Sequence, residues 1–96
     1  GPLVPILTFK TFDEVIERAN DNDLGLCSYL YTNSMDKAHI GSEKLESGCV
    51  AVNTGVVAIA EAPFGGIKQT GYGREGGSGA IKDYLNVKYT HMGLKI

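Results

Sequence analysis

The sequence predicts an α/β fold in which short parallel strands alternate with helices. Apolar segments suited to strands occur at residues 3–9, 24–32 and 49–52, and segments with helical patterns lie between them at 12–20 and 34–46. Helical connections of this length join parallel strands through right-handed crossovers. We therefore expect a βαβαβ parallel sheet, followed by a glycine-rich loop.

The first strand and the first helix are predicted near the start of the chain. Residues 3–9 form a nearly continuous apolar run around Pro5, which suits a buried strand whose amide at that position is not needed by a ladder. Thr11 and Glu14 match a capping box, in which the hydroxyl accepts from the N3 amide and the carboxylate accepts from the cap amide. The apolar residues that follow recur at the spacing of an amphipathic helix: Phe12, Val15, Ile16 and Ala19.

A second strand, a second helix and a third strand follow. The segment 24–32 is rich in leucine and tyrosine and is bounded by turn-forming residues. The segment 34–46 is polar with a few apolar residues on one side, and Gly48 stands where a left-handed C′ residue would close the helix. Residues 49–52 form a short apolar strand that ends at Asn53.

The composition is that of a soluble globular chain of at most one domain. The 96 residues are 43% hydrophobic and carry nine Lys and Arg against eleven Asp and Glu, a net charge of −2. This balance argues against a strongly basic nucleic-acid binder. No apolar run approaches the ~20 residues of a membrane helix, and no secretory signal pattern is present. We therefore expect no nucleic-acid or membrane partner and a cytoplasmic location.

Two predicted helices are too few to cover both faces of a three-stranded parallel sheet. The rest of the chain offers a short helix near 79–85 and a strand at 87–92, and neither forms a second layer. We therefore interpret the chain as a piece of a larger α/β domain. The lack of an initiator methionine at Gly1 agrees with this interpretation, and the alternative is that Gly1-Pro2 is the remnant of a protease cleavage site.

Glycine is concentrated in one part of the chain, since seven of the thirteen glycines lie between Gly65 and Gly79. Within this run, residues 71–76 read G-x-G-x-x-G, the fingerprint of dinucleotide-binding turns. No apolar strand precedes Gly71, and Glu75 would lie inside the phosphate cradle. A structural turn is therefore favoured, with a nucleotide-binding domain as the alternative. We expect a packed, irregular loop whose glycines take positive φ.

The reactive side chains show no pattern typical of a catalytic or metal site. Cys27 and Cys49 lack C-x-x-C spacing and lie inside apolar segments, so they are interpreted as small buried hydrophobes. His39 and His91 have no histidine or cysteine four residues away, which argues against a metal site. Four basic residues of the second half are assigned to a solvated or interface face: Lys68, Arg74, Lys82 and Lys88.

Residues 63–76 read P-F-G-G-I-K-Q-T-G-Y-G-R-E-G, which closely resembles the P-F-G-G-x-K-x-S-G-x-G-R-E signature of the NAD(P)-dependent aldehyde dehydrogenase superfamily. Thr70 in place of serine is the one departure. Gly1-Pro2 resembles the end of that family's E-x-F-G-P motif. Three further segments are similar to the succinate-semialdehyde dehydrogenase branch: residues 53–55, 61–63 and 83–89. The resemblance covers essentially the whole chain and points to the C-terminal part of such an enzyme.

The resemblance implies an enzyme that oxidises an aldehyde through a cysteine thiohemiacetal, passes hydride to NAD or NADP and hydrolyses the thioester with a glutamate base. It also implies that the cofactor domain, the nucleophilic cysteine and the base lie upstream. This fragment would then hold no catalytic residue, bind no cofactor and be inactive alone. Residues 1–85 would belong to the catalytic domain, and residues 86–96 would carry an oligomerisation strand and the tail. The implied partners are the aldehyde substrate and further copies in a homo-oligomer.

The resemblance assigns substrate binding to the loop 55–64, where Ala58 and Phe64 flank one wall of the aldehyde tunnel. In the semialdehyde branch a serine commonly stands at the position of Ala58 and helps to hold the distal carboxylate. Alanine there weakens the assignment of succinate semialdehyde as the substrate. The alternative from another functional class is a free-standing interaction module that pairs with a dehydrogenase through its sheet edge.

Overall fold

The computed structural model describes residues 1–95, and this part of the chain contains three helical segments and four short strands. The helical segments are α1 (Phe12–Asn20), α2 (Met35–Lys44) and a 3₁₀ helix (Ala80–Tyr84). The strands are β1 (Leu24–Gly25), β2 (Cys27–Leu30), β3 (Cys49–Val52) and β4 (Ile67–Lys68). Helix α1 coincides with the predicted helix, and α2 lies inside the predicted range 34–46.

Helix α1 is capped as the sequence predicts, with one change of partner. Thr11 is the N-cap, and its hydroxyl accepts a hydrogen bond from the Glu14 amide at 3.2 Å. The Glu14 carboxylate accepts from the Lys10 amide at 2.9 Å rather than from the Thr11 amide. The Lys10 amide thereby holds the pKa of the Glu14 carboxyl below its usual value.

Helix α2 ends at Lys44, and the predicted left-handed closure at Gly48 is wrong. Leu45 follows the helix in an extended conformation, so the chain leaves the helix before Gly48 is reached. Gly48 lies where a second backbone segment crosses, and a Cβ built on it would overlap the carbonyl group of Gly65. The glycine is needed for this close approach of two backbones and not for a helix cap.

Strands β2 and β3 form a parallel pair joined through α2, which is the central βαβ unit of the chain. Their register places Cys27 opposite Cys49 and Leu30 opposite Val52. Helix α2 packs against both strands, and the missing side chain of Gly41 leaves room for Leu30 of β2. The parallel pairing of these two segments agrees with the prediction.

The predicted βαβαβ arrangement is wrong in its first strand. Residues 3–9 lie in no strand, and their apolar side chains are exposed, with Ile6 at 90%. An extended segment becomes a strand only when a neighbour takes up its backbone hydrogen bonds, and within residues 1–95 no strand pairs with this segment. The predicted strand at 87–92 is absent for the same reason. The last residue of the predicted 86–96 tail, Ile96, lies outside the described residues.

Strands β1 and β4 form a separate antiparallel pair, with Leu24 opposite Lys68. The predicted strand at 24–32 is therefore divided at Leu26. Its first part pairs with the glycine-rich region, and only its second part belongs to the parallel pair. This division joins the glycine-rich region to the βαβ unit through main-chain hydrogen bonds.

The described residues bury few apolar side chains. Ile16 and Ala51 are the buried hydrophobic residues of this part of the chain, at 7% and 4% exposure. The Cα radius of gyration is 19.4 Å. A compact domain of this length has a radius of gyration of ~12 Å. Large apolar side chains stay exposed at both ends of the chain: Leu3, Val4, Ile6, Tyr84, Val87 and Tyr89. The chain by itself thus lacks a hydrophobic core of ordinary size.

None of the helices in the described range is both long enough and apolar enough to cross a lipid bilayer.

The crossing at Gly48 gives a prediction about stability. In the complete protein, Gly48→Ala forces a methyl group into the Gly65 backbone, and we expect the free energy of unfolding to fall by about 3 kcal/mol or more. Gly79→Ala is the matched control, because a Cβ at Gly79 meets nothing within 4 Å and its backbone is already helical. Urea denaturation of the control should match the parent within about 0.5 kcal/mol. Equal effects of the two substitutions would contradict the crossing.

Candidate functional site

The loop between β3 and β4 carries Ala58 and Phe64, the two substrate contacts expected from the sequence. It starts at the carboxyl end of the parallel pair, directly after Asn53. Loops at this end of parallel strands are where α/β proteins commonly bind ligands. We call residues 54–66 the site loop.

Asn53 anchors the start of the site loop to the end of β2. Its side-chain amide donates to the Thr32 carbonyl at 2.9 Å, and its side-chain carbonyl accepts from the Thr32 amide at 2.9 Å. Its main-chain amide donates to Leu30 at 2.8 Å. The Asn53 side chain thus makes the two hydrogen bonds to Thr32 that a further residue of β3 would make if the strand continued.

The anchor uses a backbone conformation that few residues accept. Asn53 has φ of +56°, in the left-handed region. Asparagine tolerates this region better than other residues with a side chain. The sequence indicated that a strand ends at Asn53 but not that its side chain continues the ladder, because that contact depends on the parallel register with β2.

The far end of the site loop is fixed by a two-bond pairing with the glycine-rich region. The Phe64 amide donates to the Glu75 carbonyl at 2.7 Å, and the Glu75 amide donates to the Phe64 carbonyl at 2.8 Å. Nearer the middle of the loop, the Gly77 amide donates to the Ala60 carbonyl at 2.9 Å. The loop is therefore held at both ends and at one point between them.

The structure fixes Phe64 and leaves Ala58 exposed. Phe64 is half-buried and lines a shallow hollow beside Tyr72. Ala58 is not part of that lining; its neighbours Val57 and Ile59 line a different hollow, over β3. The two predicted contacts thus occupy different parts of the site loop, one held by backbone pairing and one on the open side.

The glycine-rich region is a set of turns rather than a strand leading into a helix. Glycines 71, 73, 76 and 77 take positive φ. The Arg74 guanidinium donates to the carbonyl oxygens of Gly66 and Gly73, both at 2.7 Å. Arg74 therefore joins the two sides of the region, a structural role that its assignment to a solvated or interface face does not include.

Lys68 also has a structural role, which its assignment to a solvated or interface face does not include. Its ammonium group donates to the carbonyl oxygens of Asn20 at 2.8 Å and Asn22 at 3.1 Å. It also forms an ion pair with Glu46 at 2.5 Å. Because the carbonyl of Asn20 ends helix α1, the positive charge lies at the negative end of the helix dipole. Lys82, by contrast, is exposed.

The two cysteines lie side by side in the parallel pair. Both are half-buried and free, and the Cys49 thiol contacts the Gly65 carbonyl oxygen at 3.7 Å. Burial, together with the neighbouring Cys49 thiol, raises the pKa of the Cys27 thiol. A thiol kept protonated is a poor nucleophile, so Cys27 does not have the environment of a catalytic cysteine.

The histidines stand apart from the site loop. His39 lies beside Glu43 on the exposed side of α2, at 3.5 Å, and His91 accepts from or donates to the Tyr89 hydroxyl at 3.1 Å. Within residues 1–95, no group of three or more His, Cys, Asp or Glu side chains is placed to hold a metal ion.

Comparison with known proteins gives one family. The sequence profile of the aldehyde dehydrogenase family matches residues 1–90. The chain is 48% identical over 93 residues to 3-sulfolactaldehyde dehydrogenase of Pseudomonas putida, covering 97% of this chain and 19% of that protein. It is 46% identical over 94 residues to an NADP(+) succinate-semialdehyde dehydrogenase of Escherichia coli K12, covering 98% of this chain and 20% of that protein.

The solved structures give the same family. The chain superposes on the NAD+ complex of an aldehyde dehydrogenase from Bacillus cereus with a TM-score of 0.90 and 42% identity, covering 99% of this chain and 19% of that one. The chain therefore spans about a fifth of the length of the relatives it matches.

The Asn53 anchor combines paired hydrogen bonds to Thr32 with a positive φ, and two variants separate the contributions of these features to stability. Asn53→Gly removes the paired hydrogen bonds to Thr32 but accepts positive φ, whereas Asn53→Ala removes the bonds and also strains the backbone. We expect both to lower the free energy of unfolding of the complete protein, with alanine lower than glycine by about 1 kcal/mol. Hydrogen exchange at the Thr32 amide should accelerate in both. Unchanged exchange would contradict the anchor.

Proposed function

Because the chain belongs to the aldehyde dehydrogenase family, we propose that it forms the C-terminal part of an NAD(P)-dependent enzyme that oxidises an aldehyde to a carboxylate and that it is inactive alone. The observation that carries this proposal is the exposed apolar surface of a chain that spans about a fifth of its relatives. Residues such as Leu3, Ile6 and Val87 lie 86%, 90% and 102% exposed. Apolar surface of this extent is normally covered in a stable protein.

The described residues do not fit a cofactor cradle. A dinucleotide-binding turn leads from a strand into a helix whose first amides hold the pyrophosphate. Here the turns at residues 71–77 are followed by a 3₁₀ helix that begins at Ala80. We therefore assign NAD(P) binding, and the hydride transfer it supports, to other parts of the complete enzyme.

The contribution of this chain is to position the site loop. The Asn53 anchor and the Phe64–Glu75 pairing hold the two ends of the loop, while Ala58 stays on the open side. A loop fixed at its ends can form one wall of an aldehyde site with little loss of entropy on binding. We assign Ala58 and Phe64 to that wall as substrate contacts.

The names of the relatives indicate aldehydes with an anionic tail. One relative is named for 3-sulfolactaldehyde and another for succinate semialdehyde, which carry a sulfonate and a carboxylate. We propose a (semi)aldehyde of this class as the substrate. Ala58 presents a methyl group on the open side of the loop, so a hydroxyl donor for the tail must come from elsewhere, such as Thr54.

A free-standing interaction module is the second candidate, favoured by the open edges of the β2–β3 pair in the described residues. It requires that the isolated chain fold and bind a separate dehydrogenase subunit. In the fragment proposal, the same surfaces are covered by the rest of the polypeptide. Co-elution of the isolated chain with an intact dehydrogenase in gel filtration would favour the module.

We expect the isolated chain to have no aldehyde dehydrogenase activity. Its two cysteines lie inside the parallel strand pair, and the described residues form no cofactor cradle. The measurement is reduction of NAD and NADP by purified chain with succinate semialdehyde. Turnover above background that is lost in Cys27→Ala or Cys49→Ala would contradict the proposal.

We expect Ala58→Ser in the complete enzyme to raise kcat/KM for succinate semialdehyde relative to an uncharged aldehyde of similar length. A hydrogen bond to a charged tail contributes about 1.5–3 kcal/mol, so the ratio should rise by about tenfold or more. Ala60→Ser is the control, because Ala60 is also exposed and contacts Gly77 only through its carbonyl. An unchanged ratio in Ala58→Ser would show that position 58 does not face the tail.

A further inference from the structure

Cys27 and Cys49 lie directly opposite each other in the parallel β2–β3 pair. Paired residues of neighbouring strands project to the same face of a sheet, and the strands are ~4.8 Å apart. Disulfides join residues whose Cα atoms are ~4.4–6.8 Å apart. The backbone therefore already holds the two cysteines within the range in which a disulfide closes.

Neither thiol is already part of a disulfide, so the two thiols can react with each other. Both are free and half-buried. Apart from the neighbouring thiol, the one hydrogen-bond partner of either sulfur in the described residues is the Gly65 carbonyl, to which Cys49 donates at 3.7 Å. The register brings the two cysteines together although they are 22 residues apart in the sequence, so no redox motif is visible in the sequence.

We propose that Cys27 and Cys49 form a cross-strand dithiol that a hydroperoxide oxidises to an intramolecular disulfide. The proposal concerns a modification site in the sheet and does not depend on the proposed enzymatic function. It differs from a metal site, since the described residues provide no third ligand beside the two sulfurs.

The reaction balances with one hydroperoxide. One thiolate attacks a peroxide oxygen, the S–O bond forms, the O–O bond breaks, and for hydrogen peroxide the first water leaves after protonation. The second sulfur then attacks the sulfenic acid, the S–S bond forms and the S–O bond breaks, releasing the second water. The two sulfurs lose two electrons and the peroxide gains them. Because the pKa of Cys27 is raised, we assign the first attack to Cys49 and the second to Cys27.

Oxidation changes a contact of the site loop. The Cys49 thiol loses its hydrogen, so the bond to the Gly65 carbonyl is lost. Gly65 follows Phe64, whose backbone pairs with Glu75 at the far end of the loop. The dithiol is therefore linked through one residue to the segment that holds Phe64.

The experiment is peptide mapping of the complete protein that carries this chain. Trypsin cuts after Arg18 and Lys37 and after Lys44 and Lys68, so each cysteine lies alone in one peptide, residues 19–37 and 45–68. The protein is treated with hydrogen peroxide, the remaining thiols are blocked with iodoacetamide, and the digest is analysed by mass spectrometry before and after dithiothreitol. We expect a linked pair of these two peptides that dithiothreitol separates.

Two controls keep the result specific. In an equal mixture of ¹⁴N- and ¹⁵N-labelled protein, linked pairs should carry a single label, because the disulfide closes within one chain. In a variant with Cys49→Ala and Val50→Cys, the second thiol moves opposite Ser28, onto the other face of the sheet. Linkage to Cys27 should fall at least about tenfold there, because adjacent strand residues point to opposite faces.

Three results would overturn the proposal. One is oxidation of each peptide separately, to sulfinic or sulfonic acid, without a linked pair. Another is a mixed-label linkage, which would mean that the disulfide joins two chains. The third is equal linkage in the shifted variant, which would mean that the register has no part in the reaction.

Discussion

The parallel pairing of β2 with β3 is the interaction on which the rest of the chain depends. The ladder runs from the Cys49 amide, which donates to Leu26 at 3.0 Å, to the Asn53 amide, which donates to Leu30 at 2.8 Å. At the amino end of β3, it places Gly48 against Gly65. At the carboxyl end, it sets Asn53 beside Thr32. A shift of register by one residue would move the side chains of β3 to the other face and remove both arrangements.

Around this pair, the chain is held mainly by polar contacts to backbone rather than by apolar packing. Lys68 bonds to the end of helix α1, Arg74 bonds across the glycine-rich region, and the Thr70 hydroxyl accepts from the Gly25 amide at 2.8 Å. Hydrogen bonds of this kind contribute about 1 kcal/mol each, and less when water competes for them. They fix local geometry, but the burial that stabilises a domain must come from elsewhere.

The sequence predicted the elements that depend on local signals and missed those that depend on pairing. Helix α1 was predictable because its capping residues and apolar spacing are local. The apolar residues of the segment 3–9 predict a strand, but a strand also requires a partner, which no local pattern reveals. The sequence predicts that Gly48 ends a helix, since glycine commonly has that role, whereas its actual role is set by Gly65, seventeen residues away. The adjacency of the cysteines likewise arises from the register.

We propose that the exposed apolar segments are covered by the rest of a larger enzyme. Amide hydrogen exchange tests it most directly, compared between the isolated 96-residue chain and the complete protein. We expect residues 3–9 and 86–95 to exchange rapidly in the isolated chain and to be strongly protected in the complete protein, since their backbone groups gain partners there. Equal, rapid exchange of these segments in both would contradict the account.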